Sequence, residues 1–429
     1  MSKAYPTYKD SGIEWLGQIP THWDLLRNKI FITEHDNVVG QDAYKYTLLS
    51  LTKQGVIQRD IESGKGKFPK EFDNYKIVES GNIIFCLFDV DETPRTVGLS
   101  SIDGMITGAY NVFSIKGINS QFYYYYFLAV DDAKALRPLY SGLRKVVKTD
   151  RFMALRIPVP PQDEQRQIVA YLDYKSNKIN DRICQREREL QALSELKQAE
   201  IAAVVTRGLD PNAPMKESGI EWIGQIPAHW EVKYLSQIAE EHYISNKNVH
   251  HQNLLSLSYG RIVRKDINTT EGLLPASFDT YQVIEKGNII LRLTDLQNDH
   301  KSLRIGLVTE EGIITSAYIC IQSRRAILPE YLYLLLHSYD ICKVFYGMGG
   351  GLRQSLSYAD IKRIPIIIPA ISEQVEIIKH INAKTKNIDI YMESLKKEIE
   401  LLQEYKQRLI SDVVTGKVDV RGVEIPNEE

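Results

Sequence analysis

Residues 163–206, DEQRQIVAYLDYKSNKINDRICQRERELQALSELKQAEIAAVVT, decide the fold. Ile168, Leu172, Ile179, Ile183, Leu190 and Leu193 recur at spacings of three, four and seven, with Lys, Arg, Glu and Gln between them. A narrow apolar seam on an otherwise polar helix is what packing along a second helix requires. Pro160-Pro161 stops the strand before it, and Glu164-Gln165 opens the helix. At ~1.5 Å per residue, a helix of about 44 residues makes a rod of about 66 Å. A rod of that length cannot hide in one small domain, so it is expected to separate two bodies or brace them.

The same design returns at 372–412. Glu373-Gln374 follows Pro365 and Pro369, and Ile388, Met392, Leu395, Ile399, Leu402, Leu409 and Val413 mark a heptad-like seam. The two stretches close alike, on Val204-Val205-Thr206 and Val413-Val414-Thr415, each with a glycine (Gly208, Gly416) close behind as a C-terminal stop. Matching seams predict that the helices pack on each other as an antiparallel coiled coil, with the globular segment before each helix at opposite ends.

The rest of the chain repeats as well. Residues 11–20, SGIEWLGQIP, return at 218–227 as SGIEWIGQIP, and Thr21-His22-Trp23 returns as Ala228-His229-Trp230. Nothing near either histidine supplies a nucleophile or a metal-ligand spacing, so the segment reads as a structural clasp anchored by tryptophan and isoleucine. Leu48-Leu49-Ser50-Leu51 matches Leu254-Leu255-Ser256-Leu257, and Gly81-Asn82-Ile83-Ile84 matches Gly287-Asn288-Ile289-Ile290. A glycine turn before a β-branched run predicts strand–turn–strand, and 107–110 and 315–318 are expected to be a further shared strand. The expected fold is α+β, a tandem pseudo-two-fold repeat of a sheet-rich domain, a short helix and a long helix. The boundaries are 1–162 and 208–371 for the domains, 163–207 and 372–415 for the long helices, and 416–429 for a tail.

The short helix carries Phe122-Tyr123-Tyr124-Tyr125-Tyr126-Phe127, which has the look of a base-stacking platform. Its counterpart is Tyr331-Leu332-Tyr333-Leu334-Leu335-Leu336. A slot that takes leucine as readily as tyrosine is a core slot, and packing is the reading.

With 429 residues, 43% hydrophobic and 25% charged, the composition is that of a globular chain of two or three domains. A net charge of −2 advertises no global field for nucleic acid, so any such partner must be met by local patches. Cys86, Cys184, Cys320 and Cys342 are scattered without C-x-x-C spacing and read as reduced thiols, forming neither a metal site nor a disulfide frame. Residues 1–10 are polar and no run approaches ~18 apolar residues, so the expectation is a cytoplasmic chain with no membrane partner.

Between the shared pieces the halves diverge. TKQGVIQR at 52–59 stands opposite SYGRIVRK at 258–265, GKGK at 64–67 opposite TTEG at 269–272, and DETPR at 91–95 opposite QNDHK at 297–301. A glycine-containing basic turn precedes each long helix, SGLRK at 141–145 and GGGLRQS at 349–355. Shared framework with unlike polar loops suggests two readers built to one plan, and Arg, Lys and Gln suit phosphates and major-groove base edges. The candidate DNA contacts are Lys53, Gln54, Arg59, Lys65, Lys67, Arg95, Arg144 and Lys145 in the first half. In the second half they are Tyr259, Arg261, Arg264, Lys265, Lys301, Arg304, Arg353 and Gln354. Catalytic motifs are missing: Val159-Pro160-Pro161-Gln162 lacks both ends of an amino-methylation motif, no phosphate loop occurs, and Glu231-Val232-Lys233 is a chance-level nuclease triplet without a lysine at its counterpart.

The duplicated SGIEW-(L/I)-GQIP-x-HW segment, the basic glycine turn, the Ile-Pro-x-x-x-Pro-type strand and the Glu-Gln-opened long helix together resemble the specificity subunit of Type I restriction–modification systems. The resemblance spans essentially the whole chain. It implies a non-catalytic protein with two target-recognition domains, each reading one half of a split, asymmetric site in double-stranded DNA. It implies paired helices that fix the unread spacer and dock two adenine methyltransferase subunits, with two restriction subunits joining for cleavage. S-adenosylmethionine, ATP and Mg²⁺ are then expected on those partners, with no cofactor or metal in this chain. A specificity subunit of a related bifunctional restriction system, a coiled-coil scaffold without DNA contact and an enzyme acting alone on DNA are the competing readings.

Overall fold

The computed structural model describes residues 4–59, 72–142, 144–248, 251–267, 277–299, 302–348 and 355–426. It divides into two compact units, Met1–Arg186 with Lys397–Glu429, and Glu187–Lys396. Both long helices, Gln162–Arg207 and Ile371–Val414, are therefore split between the units.

In the first unit a four-stranded antiparallel sheet runs in the order Ile32–His35, Asn111–Ile115, Ile83–Phe85, Val97–Leu99. Every residue of Ile83–Phe85 is buried, which is why a short apolar run rather than an alternating one encodes it. Ile83 and Phe85 face one core, with Phe113, Val97 and the helix Ser120–Asp132. Ile84 and Val112 face a second, smaller core with Leu49, Val78 and Ile106. The sheet thus separates a helix-covered side from a side that carries the hairpin Leu49–Thr52/Gly55–Gln58. That hairpin lies directly on the sheet backbone: a Cβ at Gly98 would stand 2.6 Å from Leu51 Cδ1 and 2.7 Å from Val56 Cγ2.

The seam of the first long helix closes this unit. Ile168, Leu172 and Ile179 join the first core together with Leu409, Ile410, Val413, Val414 and Val420. The helix segments run antiparallel here: Gln167 donates to the carbonyls of Val420 and Val423, Lys406 to Asn180, and Arg182 and Arg186 reach Glu398. The guanidinium of Arg182 holds the Glu398 carboxyl below its usual range.

The second unit repeats the plan. Its sheet runs Ala239–Glu241, Ile319–Ser323, Ile289–Leu291, Ile305–Leu307. Ile289 and Leu291 face the helix Pro329–Ile341, whereas Ile290 and Cys320 face the side of the hairpin Leu255–Ser258/Arg261–Arg264. A Cβ at Gly306 would meet Leu257 Cδ1 at 2.5 Å and Ile262 Cδ1 at 2.9 Å. Ile201 and Val205 of the first long helix pack with Ile377 and Ile381 of the second. Lys197–Asp389, Glu200–Lys384 and Glu189–Tyr391 fix the antiparallel direction within this unit.

One expectation needs correction. Residues 107–110 and 315–318 are turns, joining Gly104–Ile106 to Asn111–Ile115 and Gly312–Ile314 to Ile319–Ser323. Thr-x-Ala-Tyr is β-prone in composition, but Thr107 and Thr315 turn their hydroxyls onto the backbone N–H of Ala109 and Ala317. The aromatic run is core, as expected: Phe122, Tyr123, Tyr125, Tyr126 and Phe127 are buried, with Tyr123 donating to Asn28 and Tyr125 to Asp173.

Candidate nucleic-acid interface

Each sheet domain is first fixed in place by its clasp. Glu164, in the first turn of its long helix where negative charge is favoured, accepts hydrogen bonds from Tyr5 Oη at 2.5 Å and Trp23 Nε1 at 2.9 Å, and meets His22 Nε2 at 2.8 Å. Glu373 does the same work with fewer partners, taking Trp230 Nε1 at 3.0 Å and His229 Nε2 at 2.9 Å. The neighbouring glutamines complete the joint. Gln165 accepts from Asn119 N, which caps the short helix, and donates to Pro160 O; Gln374 accepts from Leu328 N and donates to Pro369 O. The Glu-Gln pair that opens each long helix thus holds the clasp with one side chain and the short helix with the other. The histidines are structural, and sequence alone had no signal for their partner, which lies 142 residues away in the first unit.

On the opposite side of each sheet the hairpin tips stand out. Lys53 and Gln54 form the exposed turn of the first hairpin, and Tyr259 with Gly260 forms that of the second. The side chains of Lys53, Gln54, Tyr259, Arg261 and Lys265 are exposed and make no hydrogen bond or ion pair among the described residues. Neither hairpin carries a carboxylate. Arg264 is paired with Glu310, which it holds below the usual carboxylate range, and Arg59 is half-buried with a partner of its own.

The remaining candidates separate. Arg144 and Lys145 are held by acids: Arg144 binds Asp89 at 2.8 Å and lies over the Phe88 ring at 5.2 Å, and Lys145 approaches Asp91 and Glu92. Arg137 is the first cause of the lowered Asp91 carboxyl. A phosphate at this turn must compete with these carboxylates. Arg95 is half-buried on Asp131 and Asp132. Arg304 corrects an expectation outright, since its side chain is 0% exposed. It donates to the carbonyls of Arg292, Thr294 and Asp299 and to Tyr346 Oη, and so braces the 292–299 loop from within. A guanidinium with five donors is the side chain best able to close a loop of carbonyls, and sequence cannot tell that use from a DNA contact. Lys65, Lys67, Lys301, Arg353 and Gln354 lie outside the described residues.

Glu231 and Lys233 of the E-x-K triplet pair with each other at 2.6 Å on an outer strand. Among the described residues no cluster of His, Cys, Asp or Glu could hold a metal ion. No helix of the described residues is long and apolar enough to cross a membrane.

Two domains of one design, each carrying an exposed, carboxylate-free hairpin on a sheet fixed from behind, define a duplicated binding protein. The model of the Type I restriction modification DNA specificity domain matches residues 41–191 and 227–401, more than half of the chain, and the chain belongs to that family. It acts as the DNA-recognition subunit of a restriction–modification system and is not itself the enzyme. The protein assigned as the MjaX type I specificity subunit of Methanocaldococcus jannaschii is 21% identical over 95% of this chain and 96% of its own length. The MjaVIII specificity subunit of the same organism is 24% identical over 63% of this chain and 64% of its own. A solved chain from work on complex assembly and conformational transition of the type I R-M system has a similar fold, with a TM-score of 0.60. It is 13% identical and covers 93% of this chain and 99% of that one.

Proposed function

We propose that each sheet domain reads one half of a split, asymmetric site in double-stranded DNA, and that the two long helices set the unread spacer between the halves. The functional division is 1–162 and 208–371 for the readers, 163–207 and 372–415 for the spacer helices, and 416–429 for the tail. The observation that carries this reading is the pair of hairpins seated alike on Gly98 and Gly306 with unlike tips, Lys53-Gln54 against Tyr259-Gly260. A β-ribbon of this width fits the major groove, where Gln and Lys can read base edges. The polar outer faces of the helices dock two adenine methyltransferase subunits, and two restriction subunits join the cleaving assembly. S-adenosylmethionine, ATP and Mg²⁺ belong to those partners, and the complex works in the cytoplasm on the host's own DNA.

The test is a matched insertion of four residues in both long helices, after Arg186 and after Lys396. Four residues are close to one helical turn and add about 6 Å, near two base-pair steps of ~3.4 Å. The methylated motif, read genome-wide, should keep both half-sites and gain unread positions between them. Changed half-sites with an unchanged spacer would remove the helices from the role of ruler.

A further inference from the structure

The two hairpins differ in backbone as well as in sequence. In the first, Thr52 pairs with Gly55, and of the turn residues Gly55 alone has a positive φ, 102°. Gln54 N donates to Thr52 Oγ1, so Lys53 and Gln54 sit in an unstrained turn. In the second, Ser258 pairs with Arg261, and both turn residues are left-handed, Tyr259 at φ 46° and Gly260 at φ 76°. Such a primed turn suits the twist of a hairpin, but its first position ordinarily belongs to Asn, Asp or Gly. A bulky side chain there costs about 1–2 kcal/mol.

That conformation is imposed from below. The Gly260 carbonyl accepts from Tyr333 Oη at 3.4 Å, and a Cβ at Gly260 would lie 3.1 Å from Leu303 Cβ and 3.5 Å from His337 Cε1. Tyr333 and His337 belong to the helix Pro329–Ile341, and His337 in turn meets Gln198 of the first long helix at 3.1 Å. The tip is therefore held by the core at its glycine, and the tyrosine is presented outward, 79% exposed. Arg261 pairs beside the turn and Lys265 lies at the base of the hairpin; neither has a side-chain partner among the described residues, and no acid lies on the hairpin. An exposed aromatic ring on a left-handed backbone, with the unpaired Arg261 two residues on, matches the chemistry of a nucleic acid, the cation for phosphate and the ring for a base.

We propose that Tyr259 determines specificity in the second domain, contacting a base of its half-site through the face or edge of its ring. The first domain instead reads through the amide of Gln54. This rests on the two-half-site reading and deepens it. The free energy of ring–base contacts, about 1–3 kcal/mol, corresponds to about a 5- to 150-fold preference at one position.

The experiment uses the full chain assembled with its methyltransferase subunits, and reads the methylated motif genome-wide and binding to duplexes substituted one pair at a time. Tyr259→Asn keeps a residue that accepts the left-handed backbone and removes the ring; Tyr259→Phe keeps the ring and removes the hydroxyl. Tyr259→Asn should lose the preference at one or two adjacent pairs of one half-site and leave the other half-site intact. Tyr259→Phe should read as the parent does, and Gln54→Ala should relax the opposite half-site. An unchanged motif in Tyr259→Asn, an equal loss in Tyr259→Phe, or weakening spread evenly over all duplexes would overturn the assignment. Failure of Tyr259→Asn to assemble with the methyltransferase would make the ring a protein contact and overturn it too. A parent complex that methylates no bipartite motif would instead bring down the half-site reading itself.

Discussion

The clasps of the two units share their tryptophan, histidine and lysine contacts, whereas the hairpin tips share only their seat. Trp23 and Trp230 both donate to the opening glutamate of a long helix, and Lys9 and Lys216 both donate to the carbonyl of that tryptophan at 2.5 Å. The tips, by contrast, differ in side chain, in turn type and in strain. Duplication has preserved the joint that orients each domain, while the exposed tips have diverged. Each clasp glutamate satisfies several donors at once, whereas the tip side chains Lys53, Gln54 and Tyr259 are exposed.

The largest effect that would break this comparison lies in the clasps. Glu164→Ala leaves a tyrosine hydroxyl, an indole N–H and an imidazole without their acceptor, and should cost about 4 kcal/mol of unfolding free energy. Glu373→Ala should cost about half that, because its carboxylate is 23% exposed against 5% for Glu164 and serves fewer donors. Denaturant titration of the two variants measures the ratio, and equal losses would mean that the clasps are not graded by burial.

His337 occupies the position that Leu128 holds in the other short helix, and it titrates. Burial pushes its imidazole down to about 4, with Lys197 adding to the shift. Its neutral form is therefore favoured by folding: no penalty exists above pH 6.5, stability falls as pH drops from 6.5 to 4, and the loss is constant below. The total is about 3 kcal/mol at most. His337→Leu, which copies the first unit, should flatten that part of the stability–pH curve, and an unaltered slope would assign it to other groups.

Next come the hairpin seats. Gly306→Ala and Gly98→Ala each push a methyl into hairpin side chains and should cost about 1–3 kcal/mol. Both should also weaken DNA binding in one half-site each, because the tips rise with the strands. Stability lost without any change in the bound motif would detach the seats from recognition. The smallest effect belongs to Lys53→Ala: if its ammonium meets a phosphate, the salt dependence of binding should lose about one unit of slope with the motif unchanged.

The long helices, their seams and the domain repeat were legible in the sequence because periodicity and duplication are local signals. Ile168, Leu172, Leu395 and Val413 are all buried as their spacing requires. The clasp was legible as a unit, but its purpose was not, since Glu164 becomes an acceptor for Trp23 only through tertiary contact. Charge misled most. Arg304, Arg144 and Arg264 look alike in sequence, yet one closes a loop of carbonyls, one rests on Asp89 and Phe88, and one on Glu310. The acidic run at 91–95 was visible beside them, but its pairing with residues some fifty positions on was not.

The burial of Leu409, Val413, Val414 and Val420 in the core of the first unit bears on the order in which the protein is made. The second unit is one unbroken stretch, Glu187–Lys396, and is complete on the ribosome while the first still lacks its last helical turns. Trp23 and Pro20 wait for Gly416, which packs against them and is made only after the whole of the second unit. Domains commonly fold from the N-terminus onward as they emerge. Here the N-terminal unit is the one whose core is completed later, so a product that stops before Lys397 lacks part of that core while holding all of the second unit.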